Sequence, residues 1–350
     1  MNSTAFTNPL PGVPAIESPF FSAIFAAEDA SVRDIALQMT TRGYAVIDFP
    51  QEDFAAAADE VIRNLGTHFS ALDWARFRGG EGSGLRVQDA WQFDDNVRRI
   101  ACNPQILALL GKLYGRRACP FQTLNFPVGT EQHFHTDSIH FSSSPERFMC
   151  GVWVALEDIT LDNGPLQYYP GSHRWPIYSN EHIGHCATTM QQTPTQAIYE
   201  AMWRALVTAH EAQPQQFLAK KGQALIWAAN LLHGGSPQRD RNLSRWSQVT
   251  HYFFEDCAYF TPLLSDPFFG QIDFRQLVNI ETGQPLPQQY AGAPIPVNFI
   301  AATAPGQRSW EDEFDPDLYL AANPDVAAAG VNPFEHYMRH GRHEKRRLRP

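Results

Sequence analysis

The chain has 350 residues, a hydrophobic fraction of 43%, an aromatic fraction of 12% and a formal net charge of −10. This composition is that of a globular protein with a sizeable core, and it excludes a largely disordered chain. The acidic balance argues against a nucleic-acid partner and against an anionic membrane surface. Because no apolar run approaches roughly 18 residues, we expect no membrane span.

The five cysteines are irregularly spaced and include no Cys-x-x-Cys pair. This pattern argues against a disulfide framework and against a zinc site. The first residues lack a basic segment followed by an apolar one, so we expect no secretory signal. Reduced thiols are typical of the cytoplasm, and we therefore predict a cytoplasmic location.

The first third of the chain predicts helices around one short strand. Residues 30–42 carry apolar side chains at i, i+3, i+4 and i+7, which predicts an amphipathic helix. A second helix is predicted over 51–66, and the apolar run 43–49 between the two predicts a strand. A third helix is predicted to begin at Pro104 and to end before Gly115.

From Ala118 onward, short β-like runs are separated by turn residues. These runs are 119–126, 147–156, 166–169, 223–227 and 247–254. Regularly spaced short strands predict a sandwich or barrel such as a jelly roll, here interrupted by one helical insert near 194–212. The predicted fold is therefore mainly β with flanking helices.

The end of the chain has a different composition. Residues 302–309 resemble a linker, and two short predicted helices follow, each ended by Asn-Pro or by Gly. Residues 339–349 are strongly basic. We therefore predict a main domain over 1–300 and a small helical C-terminal module over 310–350.

A candidate metal site begins with the His-x-Asp spacing of His135 and Asp137. On a strand these side chains would share a face, but ~0.7 such pairs are expected by chance in this composition. His233 strengthens the case, because it ends an apolar run and precedes small residues. Two histidines and one carboxylate form the facial set that holds non-haem iron(II) with open positions. His133 shares the predicted face of His135 and stays an alternative ligand or a substrate contact.

Arg245 follows His233 by 12 residues, at the start of the next predicted strand. A guanidinium binds a carboxylate through two parallel hydrogen bonds, which suits a 2-oxoglutarate site. The alternative for a lone arginine is a solvated surface charge.

Five segments, taken in order, resemble the phytanoyl-CoA dioxygenase family of iron(II)- and 2-oxoglutarate-dependent oxygenases over roughly residues 30–260. They are 132–137, 153–158, 163–173, 232–236 and 245–252. The resemblance implies a double-stranded β-helix (jelly-roll) core and a catalytic domain over 1–300. It implies Fe(II) held by His135, Asp137 and His233, with O2 as the second substrate.

The same resemblance implies that Arg245 binds 2-oxoglutarate, with Gln122, Trp153 and Ser236 as further contacts. The implied reaction hydroxylates an unactivated C–H bond of a small molecule and releases succinate and CO2. Asp137 favours hydroxylation, because related halogenases lack the carboxylate.

The C-terminal module resembles short modules appended to bacterial glycosyltransferase-associated proteins. This resemblance suggests a saccharide-linked substrate, or a module that docks a protein partner. Two other functions stay open: a jelly-roll binding protein with a vestigial metal site, and a cupin-like metalloenzyme that does not use 2-oxoglutarate. The loops 138–147 and 174–212 are predicted to cover the site, with His133, His140 and Arg147 as candidate substrate contacts.

Overall fold

A computed structural model describes residues 6, 8–80, 85–187, 196–296, 300, 316–331, 333–341, 344, 346 and 347. The chain divides into two compact units, residues 1–300 and residues 301–350. The predicted linker 302–309 lies outside the described residues. None of the helices in the described ranges combines the length and the hydrophobicity that crossing a membrane requires.

The helices of the first unit form the predicted helical front and one insert. They are α1 Phe21–Ile24, α2 Ala30–Arg42, α3 Phe54–Gly66, α4 Ala71–Arg78, α5 Asp95–Ala101, α6 Pro104–Tyr114 and α7 Glu200–Ala209. The helix predicted from residue 51 begins at Phe54, because the preceding residues form a turn closed by the bond from Phe54 N to Gln51 O.

Local sequence signals explain the bounds of α6. The Asn103 side chain accepts hydrogen bonds from the backbone N–H groups of Gln105 and Ile106, so two donors of the first turn are satisfied. Pro104 occupies the first turn, where its missing N–H costs nothing. Gly115 ends the helix with a φ of 76°, in the left-handed region that glycine adopts readily.

The strands are short, and the pairings between them in the described residues are antiparallel. They are β1 Tyr44–Asp48, β2 Val87–Gln88, β3 Ala118–Phe126, β4 Ser142–Ser144, β5 Met149–Ala155, β6 Leu166–Tyr168, β7 Gln215–Phe217, β8 Gln223–Ala228, β9 His233–Gly235, β10 Ser247–Phe254, β11 Ala258–Phe260, β12 Val278–Asn279, β13 Gln284–Pro285, β14 Gln289–Tyr290 and β15 Ala293–Pro294. The prediction of a mainly β fold with flanking helices is confirmed.

Two of the sheets pack face to face. The larger sheet has the order β1-β8-β5-β10-β3-β2, and the smaller has the order β7-β6-β9. Leu166 and Phe217 of the smaller sheet pack against Trp153 and Val249 of the larger one. The opposite face of the larger sheet packs against the helices, where Leu110 joins the main core. The sheet is therefore buried on both faces.

The register of the larger sheet aligns one row of residues beside the metal-site candidates. Trp227 of β8 pairs with Gly151 of β5, Gly151 pairs with His251 of β10, and His251 pairs with Gln122 of β3. Side chains two residues apart on a strand share a face. The neighbouring row on the same face is Leu225, Trp153, Val249 and Leu124.

The second unit contains short helices. They are α8 Pro316–Ala322, α9 Pro324–Ala329, α10 Pro333–His336 and a π-helical turn over Tyr337–Gly341. Tyr319 and Val326 are buried together in a small apolar cluster. The Asn323-Pro324 pair separates α8 from α9, as the sequence predicts.

Candidate active site

His135 and His233 are held side by side by their main chains. His135 N donates to His233 O at 2.8 Å, and His233 N donates to His135 O at 2.9 Å. A methyl group at Gly234 would lie 2.8 Å from Gln132 O and 2.9 Å from the Phe134 backbone. Only glycine therefore fits beside His233 without displacing the backbone that carries His135.

Asp137 completes the cluster, but not from a strand. His135 forms an isolated bridge with His233, and Asp137 begins a 3₁₀ turn over Asp137–Ile139. The strand expected around the His-x-Asp pair is therefore not formed. Asp137 Oδ1 nevertheless lies 3.8 Å from Nε2 of each histidine, and one ligand atom from each residue lies within 4.8 Å of the others.

Both imidazoles are oriented by a hydrogen bond at Nδ1, which turns Nε2 towards this cluster. His135 Nδ1 lies 2.9 Å from His133 O, and His233 Nδ1 lies 2.9 Å from Leu231 O. A carbonyl oxygen only accepts, so each Nδ1 carries a proton, and Nε2 is the nitrogen that each ring can offer to a metal. Hydrogen bonds of this kind orient histidines that ligate metals.

Burial and charge suit these groups as ligands. Burial, reinforced by the neighbouring His233, lowers the pKa of His135 to about 3, so its imidazole is neutral. Burial by itself raises the pKa of Asp137, but His233, His251 and the Trp227 N–H outweigh it and hold that pKa below its usual value. Two imidazole nitrogens and one carboxylate oxygen fit the donor set of a divalent iron ion.

A cavity of about 360 Å³ extends from this cluster. The two histidines and Asp137 form part of its wall, and residues from the strands and from the surrounding loops form the rest. The remaining lining residues are Arg86, Gln88, Gln122, Leu124, Phe126, Thr130, Gln132, His140, Phe141, Trp153, Leu166, Gln196, Trp227, Gly234, Arg245, Val249 and His251. The predicted residues Gln122, Trp153 and Arg245 thus share one cavity with the cluster.

Arg245 is only 1% exposed, yet it lines this cavity. Its Nε donates to Gly164 O at 3.0 Å and its Nη1 donates to Ser247 Oγ at 3.0 Å. Within the described ranges, Nη2 has no hydrogen-bond partner and no carboxylate forms an ion pair with the guanidinium. Burial lowers the pKa of Arg245 to about 10 against the opposing charge of Glu157, so the side chain stays cationic at neutral pH.

Two further predicted residues lie beside Arg245 and the cluster. The Arg245 guanidinium lies 5.3 Å from the centroid of the Trp153 ring, a cation–π contact. Trp153 Nε1 is buried without a hydrogen-bond partner. Gln122 Oε1 lies 3.0 Å from Nδ1 of His251 on the neighbouring strand.

Other candidates lie elsewhere. Ser236 is absent from the cavity wall, and its hydroxyl is bonded to Gln216 and Gln167. Its contact with 2-oxoglutarate stays a prediction. Arg147 does not line the cavity; it donates to His173 O at 2.9 Å and pairs with Glu17 at 3.4 Å.

The two histidines proposed as substrate contacts differ in position. His140 lines the cavity, and its Nε2 lies 3.3 Å from Gln196 Oε1 of the insert. His133 does not line the cavity, and its Nε2 lies 2.9 Å from Arg204 of α7. Each of the two loops predicted to cover the site therefore contributes to the cavity wall: loop 138–147 through His140, and loop 174–212 through Gln196.

His251 and Trp227 also lie beside Asp137, and the sequence analysis gave neither of them a role at the metal site. His251 Nε2 lies 3.9 Å from Asp137 Oδ2, and Trp227 Nε1 donates to the same oxygen at 2.8 Å. A signal for His251 was present, since it lies six residues after Arg245, and an even separation places both side chains on one face of a strand predicted to begin at Arg245. For Trp227 the only signal was its place in the apolar run before His233.

The sequence profile of the family described as phytanoyl-CoA dioxygenase (PhyH) matches residues 11–245 of this chain. The match covers more than half of the chain and contains the two histidines, Asp137 and Arg245. The chain belongs to the phytanoyl-CoA dioxygenase family. The family prediction is therefore confirmed.

Individual relatives are distant. The peroxisomal phytanoyl-CoA dioxygenase of Rattus norvegicus is 24% identical over 182 residues, 50% of this chain and 50% of the rat protein. Phytanoyl-CoA dioxygenase domain-containing protein 1 of Mus musculus is 30% identical over 86 residues, 23% of this chain and 29% of the mouse protein. The chain thus spans half or less of the length of these curated relatives.

Solved structures share the fold. The non-heme alpha ketoglutarate dependent epimerase SnoN from nogalamycin biosynthesis has a TM-score of 0.51 and 22% identity, covering 77% of this chain and 97% of SnoN. The carbocyclase SnoK from the same biosynthesis has a TM-score of 0.50 and 16% identity, covering 75% of this chain and 95% of SnoK. The predicted jelly-roll core is confirmed by this similarity.

Proposed function

We propose that this protein is an Fe(II)- and 2-oxoglutarate-dependent oxygenase that hydroxylates an unactivated C–H bond of a small molecule, with release of succinate and CO2. The observation that carries the proposal is Arg245, a buried cation without an ion-pair partner in the described residues, in the same cavity as the His135–Asp137–His233 cluster. Family membership supports the same reaction class.

The argument from Arg245 is energetic. Burying a charge without a partner costs several kcal/mol, on the order of the stability of a whole domain. Such a group is retained where a ligand supplies the missing charge. The distal carboxylate of 2-oxoglutarate matches a guanidinium whose Nη2 has no hydrogen-bond partner in the described residues, and Arg245 lines the same cavity as the cluster.

The metal would be held by His135, Asp137 and His233. When bound, the iron supplies the capacity to activate O2 with electrons from 2-oxoglutarate. The residues of the chain orient the reactants: Arg245 binds the far end of 2-oxoglutarate, and the Nδ1 bonds of the histidines fix the direction of their lone pairs. Trp153, Leu124 and Val249 form an apolar wall that limits water in the cavity.

We infer a small, polar substrate. A volume of about 360 Å³ lies at the lower end of the ~300–1,000 Å³ that ligand sites occupy, and it must also hold 2-oxoglutarate. The rim offers hydrogen-bonding groups: Gln132 Nε2 and His140 Nε2 each lie 3.3 Å from Gln196 Oε1, and the Arg86 side chain also lines the cavity. Asp137 is the only carboxylate among the described lining residues.

A hydroxyl-bearing, saccharide-linked molecule fits such groups and agrees with the resemblance of the C-terminal module. We propose residues 1–300 as the catalytic domain and 310–350 as a separate module that docks a protein partner. We infer a cytoplasmic location from the irregular spacing of the five cysteines, which include no Cys-x-x-Cys pair.

Oxygen-dependent conversion of 2-oxoglutarate to succinate tests the function. The purified protein with Fe(II) and 2-oxoglutarate should form succinate, including slow uncoupled turnover without substrate, and His135→Ala should not. No succinate from the parent at saturating iron and 2-oxoglutarate would support a binding protein with a vestigial site. Metal-dependent activity that survives Arg245→Leu unchanged would support a cupin-like enzyme instead.

A further inference from the structure

The two carboxylate oxygens of Asp137 have different neighbours. Oδ1 lies 3.8 Å from Nε2 of both His135 and His233. Oδ2 accepts a hydrogen bond from Trp227 Nε1 at 2.8 Å, the only one that a side chain in the described ranges gives to this carboxylate. One oxygen therefore faces the histidine nitrogens, and the other is engaged by an indole.

Trp227 reaches Asp137 because the opposing position in the sheet is glycine. Trp227 pairs with Gly151 across β8 and β5, and a methyl group at 151 would overlap Cζ2, Cε2 and Cη2 of the indole. The φ of Gly151 is not in the left-handed region, so the backbone does not itself require glycine. The requirement is space for the indole, which lies across Gly151 on the inner face of the sheet.

His251 cannot replace this bond in the observed arrangement. Its Nδ1 donates to Gln122 Oε1 at 3.0 Å and is therefore engaged elsewhere. Its Nε2 lies 3.9 Å from Asp137 Oδ2, beyond hydrogen-bond length. Trp227 is thus the group that distinguishes Oδ2 from Oδ1.

We propose that Trp227 is a positioning residue that holds Asp137 as a metal ligand through Oδ1 alone. With Oδ2 bonded to the indole, the carboxylate does not turn to bind through both oxygens, and the coordination positions needed by 2-oxoglutarate and O2 stay open. Gly151 is the second part of this arrangement. The inference rests on the proposed function, because it assumes that a metal binds at the cluster.

Cobalt(II) titration of the metal-free protein tests the proposal without turnover. Loss of a hydrogen bond to a ligand lowers metal affinity by about 10- to 100-fold, and Trp227→Phe should show a loss of this size. The visible Co(II) absorption should also weaken, because a carboxylate bound through two oxygens raises the coordination number. Trp74→Phe, a tryptophan replacement on α4 outside the cavity, should bind Co(II) like the parent.

Gly151→Ala provides a second test that retains the indole N–H. The added methyl group displaces the ring, so this variant should reproduce the weaker Co(II) binding of Trp227→Phe. Thermal unfolding, monitored by circular dichroism, identifies the variants that are folded. Only these variants are compared in the Co(II) titration. If both variants prove unfolded, Trp227→His, which keeps a ring N–H donor, should bind more tightly than Trp227→Leu.

The outcomes separate this proposal from the proposed function. Tight binding by the parent and none by His135→Ala, together with weaker binding by the Trp227 and Gly151 variants, supports both. Parent-like Co(II) affinity and absorption in Trp227→Phe would overturn the positioning role and leave the metal site intact. Absence of binding by the parent would overturn the metal site, and the role of Trp227 with it.

Discussion

His135 and His233 exchange both backbone hydrogen bonds, at 2.8 and 2.9 Å, although they are almost one hundred residues apart in the chain. The bridge fixes the two imidazoles as neighbours, with ring centroids 4.7 Å apart. The spacing of the candidate ligands therefore depends on main-chain geometry more than on side-chain rotamers. Gly234 makes this close approach possible.

Gly234→Ala should separate the two histidines. A methyl group there would lie 2.8–2.9 Å from backbone atoms of Gln132 and Phe134, and backbone cannot move as cheaply as a side chain. We expect the free energy of unfolding in urea to fall by about 1–3 kcal/mol. Gly66→Ala is the control, because its methyl group would meet only Trp246 at 4.0 Å and should leave stability equal or slightly higher. Equal effects of the two substitutions would contradict the role of the bridge.

Arg245→Leu should weaken 2-oxoglutarate binding by at least ~30-fold, about 2 kcal/mol, because truncating a buried charged partner leaves the ligand carboxylate unpaired. Anaerobic isothermal titration in the presence of Fe(II) measures this change. Arg99→Leu removes an exposed arginine that pairs with Asp53, and it should bind 2-oxoglutarate like the parent. A dissociation constant within twofold of the parent for Arg245→Leu would show that this cation does not bind the cosubstrate.

How far the sequence predicts the molecule depends on whether a feature is local. Helix α6 was predicted to within a residue, because Asn103, Pro104 and Gly115 each act on their immediate neighbours. The strands followed from short apolar runs between turns. The His135–Asp137 pair was found by spacing, but its bridge and 3₁₀ turn were not, because they depend on pairing with distant β9.

The neighbours of Asp137 could not be predicted from one sequence. The contact with Trp227 depends on the register that places Gly151 opposite the indole, and register between β8, β5 and β10 is a long-range property. His251 shares the strand face of Val249, which lines the cavity, yet its proximity to Asp137 depends on the bridge between His135 and His233. Ser236 is the opposite case: the family resemblance predicts a contact with 2-oxoglutarate, but Ser236 does not line the cavity.

Acid should destabilise the metal-free protein partly through His173. Burial lowers the pKa of His173 to about 4, and its buried Nδ1 has no hydrogen-bond partner among the residues that the structure describes. In the unfolded chain the pKa is about 6.5, so the unfolded state takes up the proton first as the pH falls. The contribution of His173 to stability is therefore intact above pH ~6.5 and is lost progressively as the pH falls towards 4.

Urea unfolding at pH 7.5 and at pH 5, with chelator present, measures this effect. The parent should lose about 2 kcal/mol more between these pH values than His173→Gln, because glutamine does not titrate. Glutamine can still donate towards Thr40 O, which His173 Nε2 contacts at 3.2 Å. An identical pH dependence in both proteins would show that His173 is not held neutral by burial.

Joint binding of iron(II) and 2-oxoglutarate is measured most directly by anaerobic visible spectroscopy. The parent should develop a weak charge-transfer band when both are added, and neither alone should produce it. His135→Ala should abolish the band, and Arg245→Leu should remove it at the 2-oxoglutarate concentration that saturates the parent. A parent protein that shows no band at saturating iron and 2-oxoglutarate would contradict the assignment of this cavity as an iron and 2-oxoglutarate site.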